Sequence, residues 1–371
     1  MRGIYMYIVL AVIVLVSCQD KHVKLNDESR TISSGNVIHA EFLEDSAFEL
    51  SSIADSVRTL NLEASNKALL SYIVRISRVG ENFLIYGGTG PRRRLLMFDN
   101  KGKYLFAFGD IGRGPAEYVA LTSYFYDDIN QEIIIYDQTS KLLMKYGIDG
   151  SFKGKLQTSF IFEDFTIANG NQFVVYSNVE ANNMVEGKKM PRGIYFFDST
   201  GIYVSELYSI DSQDKYQFFN ILSFSKCERN ALLISTFDDN IYAFQESRIK
   251  PEFRINFGDY SLTEKERFNV GVDDLSAERI VFKGNPCETS GYIYFQVGLS
   301  GSKKLKHCLI DKSNLKCQIF DTLKNDFNNT SMTGFIGGSG SEFYSFINDT
   351  DTAISESMSS PITQVLILHL K

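Results

Sequence analysis

One pattern recurs six times along this chain, and it restricts the possible folds more than any other feature. Most copies open on a polar residue or glycine and continue as a short run of aromatic and aliphatic residues. The copies are Asn82-Phe83-Leu84-Ile85-Tyr86, Glu132-Ile133-Ile134-Ile135-Tyr136, Gln172-Phe173-Val174-Val175-Tyr176, Ala231-Leu232-Leu233-Ile234-Ser235, Gly291-Tyr292-Ile293-Tyr294-Phe295 and Glu342-Phe343-Tyr344-Ser345-Phe346. They lie 40 to 60 residues apart. Runs this short, bounded by Gly, Asn and Asp, read as strands rather than helices. The 29 Phe and 20 Tyr, with no Trp, belong to the same reading, because aromatic rings favour strands.

A second signature follows several copies: an apolar run, a polar turn with Gly, and another strand. It appears as Met97-Phe98-Asp99-Asn100-Lys101-Gly102-Lys103-Tyr104, Tyr146-Gly147-Ile148-Asp149-Gly150-Ser151-Phe152 and Phe197-Asp198-Ser199-Thr200-Gly201-Ile202-Tyr203, and more weakly as Leu309-Ile310-Asp311-Lys312-Ser313-Asn314-Leu315. Asp, Asn and Gly supply the side-chain-to-backbone bonds and positive φ that a tight hairpin needs. A repeat of this length with about four strands is a propeller blade, and six such units fit residues 57–371. The chain is therefore expected to be all-β, a six-bladed β-propeller. Val57–Leu62, a strand-like run, is expected to complete the sixth blade beside the C-terminal run Ile362–Leu368 and so remove exposed edges. A β-sandwich or a pair of barrels is the competing architecture. Glu264–Leu275 reads as a brief helix or a loop insertion.

The N-terminus reads as an export signal. Met1 and Arg2 precede a nine-residue apolar run, Ile8 to Val16, too short to span a bilayer as a permanent helix. Leu15-Val16-Ser17-Cys18 resembles a bacterial lipobox, which assigns 1–17 to a lipoprotein signal and Cys18 to lipidation; an ordinary secretory peptide is the plainer reading. Residues 18–56, rich in Ser, Asp, Glu and Asn, then form an expected flexible tether. Localisation follows as cell envelope, lipid-anchored, on the periplasmic side or the cell surface.

Charge and scarce residue types exclude whole function classes. Lys plus Arg is 38 against 45 Asp plus Glu, a formal net charge of −7, which argues against nucleic-acid binding. Only four His occur, so a site needing several imidazoles is improbable, and His307 and His369 fall in strand-like runs rather than at loop tips. Cys308 and Cys317 flank a hairpin turn, so an exported chain could join them as a disulfide; two half-buried thiols are the equal alternative. Cys227 and Cys287 stand five residues before Leu232 and Tyr292 and read as paired positions in successive first-to-second-strand loops.

The stretch from Leu60 to Phe152 resembles the six-bladed β-propeller lipoproteins of the TolB-like and NHL-like group. The likeness rests on the lipobox, the Phe98-Asp99-x-x-Gly102 hairpin and Gly109-x-x-Gly112-Arg113-Gly114-Pro115-Ala116-Glu117-Tyr118. It implies a fold and an exported location much more firmly than an activity.

In a propeller blade, second-to-third-strand loops and blade-to-blade connections open on the same face. Gly87 to Arg94, with Arg92, Arg93 and Arg94, should therefore neighbour Gly109 to Tyr118, with Arg113, Glu117 and Tyr118. Lys188, Lys189 and Arg192, and Lys303 and Lys304, would add positive charge to that rim. Guanidinium groups pair bidentately with carboxylate or phosphate, so the triplet is the stronger candidate; the lysines read rather as solvated loop charges. The plain account of Gly112–Tyr118 is structural, with Glu117 capping backbone amides and Tyr118 packing between blades. Gly87-Gly88-Thr89-Gly90 lacks the spacing and following helix of a phosphate-binding loop.

The expected function is a non-catalytic binding module that takes a partner protein or an anionic ligand, such as an acidic glycan, through this loop-bearing face. The protein is expected to be a monomer without cofactors. The alternative is a calcium-dependent lactonase or esterase-type hydrolase with the metal at the channel mouth, for which Glu117, Glu163, Asn220 and Glu278 are the oxygen ligands considered. Asp164, Asp238-Asp239-Asn240 and Asp349-x-Asp351 offer further oxygens where Asp and Asn are common anyway.

Overall fold

The computed structural model describes residues 37–347 and 362–371, apart from 160, 169–171, 179–183, 186, 210–222, 226–230, 236–237, 246–247, 272–273 and 331. The signal, Cys18, Asn220, Cys227, Asp349 and Asp351 lie outside the described residues.

Two strands open the chain, β1 (Val37–Glu49) and β2 (Ala54–Asn61). Next comes an antiparallel sheet of β3 (Ile73–Val79), β4 (Asn82–Gly87), β5 (Arg94–Phe98) and β6 (Tyr104–Ala107). A small parallel pair, β7 (Asp110–Ile111) and β8 (Glu117–Tyr118), leads to the sheet of β9 (Leu121–Asp127), β10 (Glu132–Asp137), β11 (Leu142–Gly147) and β12 (Phe152–Gln157). The third sheet takes β13 (Asp164–Ala168), β14 (Gln172–Ser177), β17 (Gly193–Phe197) and β18 (Tyr203–Ser209), with the hairpin β15 (Met184–Val185) and β16 (Lys188–Lys189) inserted. Then come β19 (Leu233–Ile234), β20 (Asn240–Gln245) and β21 (Arg248–Asn256), the helix α1 (Glu264–Asn269), and β22 (Ile280–Glu288), β23 (Tyr292–Leu299), β24 (Leu305–Asp311) and β25 (Lys316–Lys324). The last strands are β26 (Gly337–Ser339), β27 (Glu342–Phe346) and β28 (Gln364–Leu370).

Five of the six repeated runs prove to be second strands of their sheets, and the fourth, at β19, ends its sheet with only an isolated bridge from Leu233 to Phe224 beyond it; the reason is visible in their side chains. In β4, Phe83 and Ile85 pack with Tyr344 and Val365, while Leu84 and Tyr86 pack with Tyr124 and Ile135. Both faces of such a strand are covered by neighbouring sheets, so its sequence is a nearly unbroken apolar run. Each buried Phe, Leu or Ile contributes about 1.5–3 kcal/mol. The same sharing of apolar clusters continues from β9–β12 to β13–β18, from there to β19–β21, on to β22–β25, and from β22–β25 to β26–β28. β28 pairs antiparallel with β2, Leu368 opposite Val57 and Gln364 opposite Asn61.

The hairpin signature has the chemistry expected of it. Asp99 Oδ1 accepts the amides of Lys101 and Lys103, and Gly102 sits at φ +83°. Asp198 does the same for Thr200 and Ile202, and Asp311 accepts the Ser313 amide. Glu264–Asn269 is indeed a short helix, begun by a capping box between Thr263 and Glu266.

The structure corrects the expected tether at residues 37–56. β1 runs parallel to β21 through Val37–His39 and parallel to β25 through Ala40–Glu49, joining the two edges into one eight-stranded sheet. Ile38 enters the core, Phe42 stacks on Tyr260 at 3.9 Å and Phe48 on Phe320 at 4.6 Å. These apolar contacts, with pairing on both sides, hold a segment whose polar composition reads as a linker.

At the opposite edges, the first strands converge and bond to one another. The Ile76 amide donates to Ile336, Ser77 and Tyr124 hydroxyls lie 2.7 Å apart, and Ser123 Oγ donates to Asp164 Oδ1 at 2.6 Å. The Ser223 and Phe224 amides donate to Asp164 Oδ2, and Arg75 Nη2 donates to the carbonyls of Phe224 and Pro286.

Candidate functional site

The loop after β4 begins with glycines because the backbone doubles back on itself. Gly88 sits at φ +96°, and a Cβ there would meet the Arg92 carbonyl at 2.7 Å. A single helical turn, Gly90–Arg92, with Pro91 pre-setting φ, leaves Arg92 exposed. Arg93 is half-buried, with its guanidinium carbon 5.9 Å from the Tyr86 ring centroid. Arg94 starts β5 and donates to the Lys67 carbonyl at 2.7 Å.

The second loop is built around one carboxylate. Glu117 Oε2 accepts the Gly114 amide at 2.7 Å, and a Cβ on Gly112 would meet that oxygen at 2.0 Å. Gly112 and Gly114 are therefore small because Glu117 folds back over them. Tyr118, fully buried, turns inward and donates its hydroxyl to the Arg93 carbonyl at 3.2 Å. Burial pushes its phenol up to about 12, so it remains a neutral donor. Tyr146 Oη donates to the Ala116 carbonyl at 3.0 Å and pins the other side. Asp137 accepts the Val119 and Ala120 amides and holds the loop's exit.

The two loops thus form one surface. Arg92 and Arg113 project from it into solvent, whereas Glu117 and Tyr118 serve the loop architecture. Lys188 and Lys189 are exposed on the β15–β16 hairpin, and Lys303 and Lys304 are exposed after β23. Arg192, expected on the rim, is instead 3% exposed beside the start of β17. Of the basic residues expected on the rim, Arg192 alone is buried.

Of the oxygen ligands considered for calcium, Asn220 lies outside the described residues and the other three are placed separately. Glu117 is exposed and engaged with Gly114, and Glu278 is exposed before β22. Glu163 is buried beside β13, accepts the Asn178 amide at 2.7 Å, and is pushed up to about 7 by burial. Asp239 is ion-paired with Lys283 at 2.9 Å. Among the described residues no group of three or more His, Cys, Asp or Glu could hold a metal ion.

Cys308 and Cys317 are fully buried thiols whose sulfurs lie 3.5 Å apart, unbonded. The register sets Cys308 opposite Ile319 and Cys317 opposite Ile310, so the two meet diagonally rather than face to face. Cys287 is not in a loop but inside β22, buried, with its sulfur 3.5 Å from the Phe335 carbonyl. His307 lies in β24 with Nδ1 2.7 Å from the Tyr294 hydroxyl. The residue that sequence reasoning missed is Arg75, 2% exposed where the edge strands meet. Its signal was a lone charge inside Ile73-Val74-Arg75-Ile76.

Radial sheets, edge strands gathered to one axis and a loop-built surface on one side define a β-propeller. The chain belongs to the family described as Domain of unknown function (DUF4934), whose model matches residues 36–361. An exported protein from Bacteroides fragilis is similar in structure, with a TM-score of 0.68 and 16% identity over 90% of this chain and 99% of that one. A member of the DUF4221 family from Bacteroides vulgatus is similar with a TM-score of 0.48 and 9% identity, covering 86% of this chain and 97% of that one. No curated protein matches the sequence. Among the described residues no helix is long and apolar enough to cross a membrane.

Proposed function

We propose that this chain is an exported, lipid-anchored, six-bladed propeller that acts as a non-catalytic binding module. Six apolar clusters, five shared by neighbouring sheets and one shared by the β19–β21 and β22–β25 halves of the eight-stranded sheet, and the pairing of β2 with β28 support a ring of six blades closed by the N-terminal strand. The lipobox ending at Cys18 supports the anchor. The ligand is an acidic glycan or an acidic partner surface, taken by the face that carries Arg92, Arg93, Arg94 and Arg113.

The observation that carries this reading is the Tyr118–Arg93 bond, which fixes two arginine-bearing loops against each other. A rigid cationic pair loses little entropy on binding an anion. The test is retention on immobilised polygalacturonate at rising salt. Arg92→Ala/Arg113→Ala should elute at clearly lower salt than the unmodified protein, while both unfold at the same temperature. Equal elution of the two would remove the rim proposal.

A further inference from the structure

Arg75 sits where the edge strands meet, and its side chain is only partly satisfied. Nη2 donates to the Phe224 carbonyl at 2.9 Å and to the Pro286 carbonyl at 3.3 Å, while Nη1 is buried with no partner among the described residues. A guanidinium does not lose its proton in a protein, so the charge stays. Burying it without a counter-charge is costly.

Asp164, linked to Arg75 through Phe224, does not fill this role directly. Asp164 accepts from Ser123 Oγ and from the amides of Phe165, Ser223 and Phe224, so both of its oxygens are occupied by other donors. Two hydroxyls beside it are also unpartnered and buried. Thr166 lies two residues along β13 from Asp164, on the same face, with Oγ1 unsatisfied and the residue fully buried. Ser223, whose amide binds Asp164 and whose neighbour Phe224 accepts from Arg75, is 1% exposed with Oγ unsatisfied. The unmet groups here are one cationic N–H face and two hydroxyls, which all donate.

We propose that Arg75, Thr166 and Ser223 bind a small monovalent anion, a halide or the carboxylate of a small organic acid, between the edge strands. Arg75, Thr166 and Ser223 are each at most 2% exposed, which favours a small ligand, and the donors match an acceptor that carries charge. This site is separate from the exposed rim and does not depend on it.

Crystals of the protein grown in bromide, and others grown in acetate, test the assignment. The expected result is an anomalous bromide peak, or acetate density, within hydrogen-bonding distance of Arg75 Nη1. In solution, thermal unfolding at constant ionic strength should rise and saturate with chloride, bromide or acetate relative to gluconate. Arg75→Met should weaken the apparent affinity at least about tenfold. If that variant does not fold, Thr166→Val/Ser223→Ala takes its place in the same titration. Water alone at Nη1 in both crystals, with no anion-specific rise in unfolding temperature, would overturn the proposal. Bromide against acetate separates the two sources of the anion.

Discussion

Tyr118 donates its hydroxyl to the backbone carbonyl of Arg93 at 3.2 Å, across a gap of 25 residues. The bond ties the β4–β5 loop to the connection that leads into β9. Because the acceptor is main chain, the contact fixes the position of the arginine loop without engaging any guanidinium. The Tyr118 side chain that does the fixing is buried, and of the arginines on the two loops Arg92 and Arg113 stay in solvent.

Tyr118→Phe should therefore separate shape from support. It keeps the packing of a fully buried ring and removes one hydrogen bond, so unfolding should cost about 1 kcal/mol less. Retention on an anionic matrix should also weaken, although no charge has been lost. Chemical denaturation and salt elution measure the two effects. Unchanged retention would mean that the loops hold their relation without this bond.

Glu117 is expected to behave as a structural residue. Glu117→Ala leaves the Gly114 amide without its acceptor and should destabilise by about 1 kcal/mol, with faster amide exchange confined to residues 110–118. Gly112→Ala should be worse, since its Cβ would stand 2.0 Å from Glu117 Oε2 unless that carboxylate moves away. Hydrogen exchange on both variants reports the outcome.

Much of this fold was legible because its determinants are local. The six apolar runs announce strands buried on both faces, and Asp99, Asp198 and Asp311 announce hairpins through bonds only two to four residues long. β1 was not legible. Its partners β21 and β25 lie more than 200 residues away, and its few apolar residues are interrupted by Glu41, Glu44, Asp45, Ser46 and Glu49. Arg75 was hidden for the same reason, since its acceptors are 149 and 211 positions distant. Arg192 looked like a loop charge because burial of one long side chain depends on neighbours that spacing does not reveal.

β1 should be an integral part of the domain. Phe48→Ala removes a half-buried ring stacked on Phe320 and should cost about 2 kcal/mol, less than the ~3–5 kcal/mol of a fully buried Phe. A chain beginning at residue 54 would expose the edges of β21 and β25 together, and should aggregate at concentrations where the longer chain does not. Light scattering and thermal unfolding check both statements.

The three described cysteines should be unreactive until the protein unfolds. Cys287, Cys308 and Cys317 are at most 2% exposed, and burial pushes the Cys308 thiol well up. Native protein at pH 8 should resist alkylation at all three. Denaturant without reductant should then allow complete labelling of Cys308 and Cys317, by peptide mass mapping. Protection that persists in denaturant until a reductant is added would show that the pair is oxidised.

Two buried groups with opposite shifts should make stability nearly independent of pH across the mildly acidic range. Burial raises Glu163 from 4.5 to about 7, so the folded state holds a proton that the unfolded chain has released. Its contribution is complete below about pH 4.5 and is lost as pH rises to about 7. Burial lowers His307 from 6.5 to about 4, so the unfolded chain holds a proton that the folded state lacks. That contribution is complete above about pH 6.5 and is lost as pH falls to about 4. Between pH 4.5 and 6.5 each slope is about 1.4 kcal/mol per pH unit and the signs are opposite. Glu163→Gln leaves the histidine slope alone, and its stability should fall as pH drops from 6.5 to 4.5. His307→Asn leaves the glutamate slope alone, and its stability should rise over the same interval. Urea unfolding at half-unit steps decides the matter, because two variants with slopes of the same sign would mean that at least one of these groups does not titrate as its burial requires.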